Sequence, residues 1–115
     1  MELVLFHIIG EAEWARAEAR GHYGPDSLTV EGFIHLSERG QILRPANLLY
    51  SGRGDLKLLV IDRSILRADV VYEPGSHGED EVFPHLYGQL NLDAVVRTVD
   101  FPCEADGRFV LPADL

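Results

Sequence analysis

Three histidines, His7, His35 and His85, each lie inside a short apolar run of the chain. Imidazole titrates near neutral pH, so it can transfer a proton, bind a metal or hydrogen-bond a ligand. A polar ring among aliphatic neighbours must find a partner, because burying it unpaired costs free energy. The three histidines therefore predict a site, and its chemistry depends on what the fold brings beside them.

The spacing of these histidines argues against a metal centre. His7 and His35 are 28 residues apart, and His35 and His85 are 50 apart, whereas zinc sites are recognised by closely spaced pairs of ligands. Only the fold could gather the three rings around a metal with one open position. We therefore expect no metal, with a histidine triad as the alternative.

Ser37 shares a predicted strand face with His35 and could form a Ser/His nucleophilic pair with it. Side chains two residues apart on a strand are about 7 Å apart, too far for a direct hydrogen bond. No G-x-S-x-G turn surrounds the serine. The better interpretation is that Ser37 caps a following helix, whose free N–H groups would bind an anion.

The net charge of −9 disfavours a long nucleic-acid partner. The charge is uneven, because residues 39–67 contain six basic and two acidic side chains, a local excess of +4. Arg39 and Arg44 follow Ser37 closely and are candidates for binding a phosphate group of a small ligand. The alternative is that these bases only balance the acidic surface around them.

Glu73 is the acidic residue best placed for chemistry, because it ends a predicted strand that would hold it in place. A fixed carboxylate beside a histidine could stabilise the cationic sugar that develops during glycosyl transfer. The acids at 79–81 follow in a polar loop and are more simply interpreted as a solvated tip. Cys103, the single cysteine, has no histidine near it in the sequence, and we interpret it as a bystander in a reducing compartment.

The hydrophobic patterns that must position these residues predict the order β-α-β-α-β-β-β-β. A helix is expected over EAEWARAEAR, and a second from Ser37 toward Tyr50, with a kink or a new start at Pro45. A turn-rich loop is expected over 22–32, and Pro84 suggests a strand edge or a bulge. Strands are predicted at LVLFHII, GFIHLS, LKLLVID (as a central strand), DVVYE, VFPHLYG and LDAVVRTVDF, with RFVLP as a candidate for one more.

The length of 115 residues, with 46% hydrophobic and 25% charged residues, fits one globular domain over 1–115. Because strands and helices do not alternate throughout, we predict the α+β class, with a single compact domain, a mixed sheet and two early helices. No apolar run approaches the ~18 residues that span a bilayer, and the first residues show no basic start or cleavage site. We expect a cytoplasmic protein without a membrane partner, and the oligomeric state is open.

Five segments, FHII, GFIHLS, LLVID, VYE and FPHLYG, resemble a small bacterial family of unknown function, member nine-five-two of the domain-of-unknown-function series. The resemblance runs from His7 to about Val99, and the combination of GFIHLS with FPHLYG is its most specific part. It implies a fold resembling the ADP-ribosylation (ADP-ribosyltransferase-like) fold. Family membership implies no established activity.

The order FHII, helix, GFIHLS, helix, LKLLVID also resembles the NAD-binding lobe of the RNA 2′-phosphotransferases. In that lobe Tyr-His-Gly-Thr, Val-His-Leu-Ser and Leu-Glu-Ile-Asp strands follow in the same order. The resemblance implies NAD as a cofactor, with His7 against the nicotinamide-side ribose and with His35 and Ser37 in the same cleft. Ile8 and Ile9 stand where those enzymes have Gly-Thr.

These observations predict an ADP-ribosyltransferase-like enzyme acting on NAD, an ADP-ribosyl group or a phosphorylated nucleotide. The hypothesis assigns catalysis to His7, His35 and Glu73, and ligand binding to a second set of side chains. The cofactor-binding set is Ser37, Arg39, Arg44 and His85. The alternative is a non-catalytic module on the same fold that binds a small ligand or a protein.

Overall fold

The computed structural model describes residues 3–75 and 80–115 of the chain. Within them the chain forms strands, helices and short 3-10 turns. The strands are β1 (Val4–Gly10), β2 (Ile34–His35), β3 (Leu56–Asp62), β4 (Asp69–Pro74), β5 (Val82–Tyr87) and β6 (Val95–Asp100). The helices are α1 (Glu11–Arg20), α2 (Asp26–Val30) and α3 (Leu43–Leu49), and the 3-10 turns are Arg39–Gln41, Arg63–Ile65 and Leu92–Ala94.

The first sheet has the strand order β1-β3-β6, and both of its pairings are antiparallel. Alternate side chains of β1 point to opposite faces, as in any strand. Leu5 and Ile9 pack into one hydrophobic cluster with Trp14 of α1, while Phe6 packs into a second cluster with Ala46 of α3. Both faces of this sheet are therefore covered, which explains the continuous apolar run in β1.

The second sheet has the strand order β2-β5-β4 and is also antiparallel. His35 lies opposite His85 in its register. The next residue, Leu86, is buried in the cluster between the sheets, so His85 points to the other face. A bridge between Phe6 and Ser37 joins the two sheets, because each N–H donates to the other residue's carbonyl at 2.8 Å.

The predicted α+β class and the first predicted helix are confirmed. Helix α1 spans EAEWARAEAR, with Trp14 and Ala17 buried. Gly21 ends it at a left-handed φ of 83°, a conformation that glycine adopts without steric cost. The LKLLVID strand is confirmed as a central strand, since β3 lies between β1 and β6.

The predicted mixed sheet is wrong for the described part of the chain, where every strand pairing is antiparallel and the strands divide between two sheets. The edge or bulge predicted from Pro84 is also wrong, because β5 is a central strand. The Pro84 carbonyl accepts from the Leu36 N–H at 3.0 Å. The Pro84 nitrogen, which carries no hydrogen to donate, therefore also faces the segment that contains β2. The β2 ladder ends there, at His35, and loses little.

The predicted role of Ser37 as a helix cap is wrong. Glu38 and Gln41 instead form the capping box of the 3-10 turn that follows, while the main chain of Ser37 is used in the bridge between the sheets. The α-helix begins only at Leu43, and Pro45 lies in its first turn, where a missing N–H is tolerated. The helix predicted from Ser37 is therefore shorter and starts later.

One loop prediction and one strand prediction are wrong as well. Part of the loop predicted over 22–32 is the short helix α2, and RFVLP at 108–112 forms no strand. The predicted acidic loop at 79–81 lies partly outside the described residues, because residues 76–79 are not described. In the described ranges no helix is long and apolar enough to cross a membrane.

Candidate functional site

The fold brings the three histidines to one cleft of about 530 Å³. They come from three different strands, with His7 on β1, His35 on β2 and His85 on β5. A cavity of this size is typical of sites for small ligands. The cleft is also lined by Arg53, from the basic segment 39–67, and by side chains that the sequence did not assign to a site, among them Glu13, Arg16, Tyr23 and Tyr50.

Both ring nitrogens of His7 are bonded to protein groups. Nδ1 lies 2.7 Å from the main-chain oxygen of His35, and Nε2 lies 3.0 Å from the Tyr23 hydroxyl. A carbonyl oxygen only accepts hydrogen bonds, so Nδ1 carries the proton and Nε2 accepts from Tyr23. Burial lowers the pKa of His7 from 6.5 to about 4, so the ring is neutral at pH 7. His7 therefore holds β1 against β2 and the Tyr23 loop.

Tyr23 connects His7 to an acidic side chain in the cleft. Its hydroxyl lies 3.0 Å from His7 Nε2 and 3.5 Å from Oε2 of Glu13. A tyrosine has one hydroxyl proton, and the shorter contact with His7 takes it. Burial, and after it the charge of Glu13, raises the pKa of Tyr23 above its ordinary value. The hydroxyl therefore stays protonated and remains a donor to His7.

His35 lies at the open side of the cleft. Its Nε2 is 2.8 Å from Oε1 of Glu31, and its side chain is 38% exposed. Its ring packs edge-on against Phe33 and His85, with centroid separations of 4.9 and 5.3 Å. His35 thus contacts both other histidines, because its main-chain oxygen binds His7 and its ring meets His85.

His85 is almost fully buried, with a side chain that is 2% exposed. Its Nδ1 lies 2.8 Å from Oε1 of Glu73, and the Tyr87 hydroxyl donates to the same oxygen. These two hydrogen bonds, first from Tyr87 and then from His85, lower the pKa of Glu73. Phe33 stacks on the His85 ring at 4.0 Å and 9°. Nε2 of His85 is buried and has no hydrogen-bond partner among the residues that the structure describes.

The predicted catalytic and phosphate-binding residues divide between the cleft and its surroundings. Ser37 lines the cleft, as predicted for a binding residue. Glu73, Arg39 and Arg44 lie outside its lining as the described residues form it. Arg39 lies over the ring of Phe6 at 5.4 Å, and Arg44 is 3.7 Å from a carboxylate oxygen of Glu81.

Two other arginines line the cleft instead. Arg16 projects from the exposed side of α1, and Arg53 follows the turn after α3. Arg53 forms a two-point ion pair with Asp55 at 3.0 and 2.8 Å and lies 5.7 Å from the ring of Tyr50. The cleft therefore has basic, acidic and aromatic groups on its walls.

A second hollow of about 620 Å³ lies elsewhere on the protein and contains none of the predicted site residues. His22, Arg67 and Asp93 contribute to its walls, and Arg67 pairs with Asp93 at 3.0 Å. The predicted site residues that the fold brings together thus lie in the histidine cleft. In the described ranges, no group of three or more His, Cys, Asp or Glu side chains could hold a metal ion.

The residues that the sequence missed gave weak local signals. Tyr23 lies in a turn-rich segment, and Glu13 and Arg16 lie on a helix whose charges are explained by solvation and by the helix dipole. Spacing offers one clue, because Glu13 and Arg16 are three residues apart and so share a helix face. Whether that face of α1 lies against the cleft depends on how the helix packs, and the sequence pattern does not show this.

Comparison with known proteins supports the predicted family. Residues 8–98 match the family described as "Protein of unknown function (DUF952)". The crystal structure of protein CC0527 from Caulobacter crescentus is 34% identical, with 94% of each chain covered and a TM-score of 0.82. The solution NMR structure of CC0527 is 33% identical, with 99% of this chain and 97% of that chain covered and a TM-score of 0.83. No curated protein sequence matches the chain.

The match of residues 8–98 covers most of the 115 residues, and the predicted family resemblance is confirmed. The likeness to the ADP-ribosyltransferase-like fold stays a prediction. The chain belongs to the family of proteins of unknown function named DUF952.

Proposed function

We propose that the cleft binds a ribose-containing nucleotide of the NAD or ADP-ribose class, in an ADP-ribosyltransferase-like protein. The observation that carries the proposal is the convergence of His7, His35 and His85 from three strands on one cavity of about 530 Å³. Convergent polar groups in a cavity of this size are the usual mark of a small-ligand site.

The walls of the cleft suit the separate parts of such a ligand. Arg16 and Arg53 are cationic and can meet a diphosphate, because charge-assisted hydrogen bonds to phosphate are strong. Glu13 accepts hydrogen bonds and suits sugar hydroxyls. Tyr50 offers an aromatic surface beside Arg53 for a planar base. This proposal replaces Arg39 and Arg44 as the phosphate contacts.

A second candidate is the non-catalytic module, and one observation favours it. Glu73, the carboxylate assigned to catalysis, lies outside the lining of the cleft and is bonded to His85 and Tyr87. A reaction at the cleft would then depend on Glu13, which is in hydrogen-bond reach of Tyr23. Release of nicotinamide from NAD distinguishes the two candidates, since an enzyme produces it and a binding module does not.

Isothermal titration calorimetry with NAD, ADP-ribose and 2′-phosphorylated nucleotides tests the proposal. We expect heat with at least one of them, and an affinity weaker by about 10-fold in Arg16→Ala, the loss that follows from one charged contact. Arg67→Ala is the matched control, because Arg67 is an exposed arginine on the other hollow. No heat with any of these ligands, at protein concentrations that detect millimolar binding, would show the proposal to be wrong.

A further inference from the structure

We propose that His85, Glu73 and Tyr87 act as one unit, in which the carboxylate and the phenol hold the imidazole so that its Nε2 accepts a hydrogen bond from a ligand hydroxyl. The inference rests on the proposed function in one respect, because it takes the hydroxyl to belong to the ribose of the nucleotide. It adds the atom that recognises the sugar and the two side chains that position that atom.

The Glu73 carboxylate fixes which nitrogen of the neutral His85 ring carries the proton. Glu73 accepts from the Tyr87 hydroxyl and from His85 Nδ1, and these bonds favour its ionised form. An ionised carboxylate only accepts hydrogen bonds, so Nδ1 of His85 must donate. In the neutral ring the lone pair is then on Nε2, which becomes an acceptor.

The acceptor nitrogen of His85, Nε2, is buried. The side chain of His85 is 2% exposed and lines the cleft, while Nε2 has no partner among the described residues. Buried polar atoms in folded proteins nearly always have a partner, and one without a partner calls for an explanation. A donor group on a ligand in the cleft supplies that partner.

Neighbouring aromatic side chains and the central strand hold the His85 ring in one orientation. Phe33 covers one face in a parallel stack at 4.0 Å, and His35 meets the ring edge-on at 5.3 Å. His85 lies on β5, the central strand of its sheet, with Glu73 on the neighbouring β4. An imidazole held in this way presents its acceptor in one direction, which is what specific recognition requires.

The other two histidines do not offer an equivalent atom. His7 uses both nitrogens for His35 and Tyr23. His35 donates its Nε2–H to Glu31, and its side chain is 38% exposed, so water can reach the ring and compete with a ligand for its other nitrogen. The acceptor on His85 also has a chemical preference, since a sugar hydroxyl donates to it and an ionised phosphate oxygen does not.

Side-chain ¹H–¹⁵N correlation NMR, which separates the two ring nitrogens of each histidine, tests the inference at mildly alkaline pH. In the free protein we expect His85 to carry its proton on Nδ1. Addition of ADP-ribose should move the Nε2 resonance of His85 and leave both nitrogens of His22, a loop histidine on the other hollow, in place. A proton on Nε2 in the free protein would overturn the inference.

Glu73→Gln is the variant that tests the positioning role. A glutamine amide can donate to Nδ1, so we expect the Nε2–H tautomer to appear and ADP-ribose affinity to fall by about 10-fold, the factor for one hydrogen bond of this kind. Glu104→Gln is the matched control, since Glu104 is an exposed acid in the C-terminal segment, and should change neither. An unchanged tautomer together with unchanged affinity would contradict the role of Glu73.

A second probe separates this inference from the proposed function. D-Ribose at high millimolar concentration offers hydroxyl donors without a phosphate or a base. If ADP-ribose produces heat but the His85 resonances do not move, the proposed function stands and the inference fails. If ADP-ribose does not bind, the proposed function fails, and the inference then stands or falls on whether D-ribose moves the Nε2 resonance of His85.

Discussion

Two histidines of the cleft, His7 and His85, make opposite use of the same side chain. His7 has both ring nitrogens bonded, to the His35 carbonyl and to the Tyr23 hydroxyl. His85 has one nitrogen bonded to Glu73, while the second is buried with no partner in the described ranges. Placement in an apolar run therefore marks a histidine for attention without stating its role.

The partners explain the difference. His7 of β1 bonds to the main chain of β2, so it connects the first sheet to the second. His85 bonds to Glu73 on an adjacent strand of its own sheet, which orients the ring without joining separate parts of the molecule. We infer that His7 mainly stabilises the fold and that His85 serves recognition.

Replacing each histidine by phenylalanine gives the largest expected effect and tests this contrast directly. His7→Phe removes a donor to the His35 carbonyl and an acceptor for Tyr23, so the free energy of unfolding should fall by about 2 to 4 kcal/mol. His85→Phe should cost less than half as much, because it removes an unpartnered buried nitrogen and frees only a part-exposed carboxylate, Glu73.

Urea unfolding followed by circular dichroism measures both values. His22→Phe in the exposed loop is the control and should stay within about 0.5 kcal/mol of the wild type. Equal losses for His7→Phe and His85→Phe would show that the two histidines do not differ in their contribution to stability.

The pH dependence of stability gives the next effect. The pKa of folded His7 is about 4, against 6.5 in the unfolded chain, so the unfolded state binds more protons between these values. Keeping His7 neutral therefore adds no pH dependence above pH 6.5, and the free energy of unfolding falls as the pH drops from 6.5 toward 4. The loss is about 1.4 kcal/mol for each pH unit, or about 3 kcal/mol over the whole range.

His7→Gln removes the titrating ring and should flatten this part of the curve of unfolding free energy against pH. His22→Gln, at an exposed loop histidine, is the matched control. Carboxylates such as Glu73, with lowered pKa values, also destabilise the fold in acid, so the difference between wild type and variant is the quantity to plot. Parallel curves for the wild type and His7→Gln would show that His7 is not held neutral by the fold.

The fold was predictable where the signal is local. Helix α1 and strand β3 follow from residue type, periodicity and a terminal glycine. The division into two sheets was not, because β1 pairs with β3 and β2 with β5 across about 50 residues of chain, and alternation within a strand does not name its partner. Strand β2, with two residues, carries too little pattern to reveal its neighbours.

The candidate site was predictable to the level of three histidines and Ser37, in the sense that all four residues line one cleft. The contacts that give each histidine its role were not, since Tyr23 lies 16 residues from His7 and Glu73 lies 12 from His85. Glu13 and Arg16 line the cleft only because α1 packs with that face toward it. These facts belong to tertiary packing, and a one-dimensional pattern does not contain them.

Replacing Tyr23, which bonds to His7, or Tyr87, which shares Glu73 with His85, gives the smallest expected change in stability. Tyr23→Phe leaves the half-buried His7 ring without a donor to its Nε2 and should lower the free energy of unfolding by about 1 to 2 kcal/mol. Tyr87→Phe should lower it by less, because Tyr87 is 43% exposed and water can take over part of the role of its hydroxyl at Glu73. It should also raise the pKa of Glu73, since the Tyr87 bond is the main cause of its low value, and this rise is part of the small loss of stability. Carboxyl ¹³C titration by NMR measures the second effect and urea unfolding the first. A Tyr87→Phe protein that is destabilised as much as Tyr23→Phe, with an unchanged Glu73 titration, would mean that His85, like His7, mainly stabilises the fold.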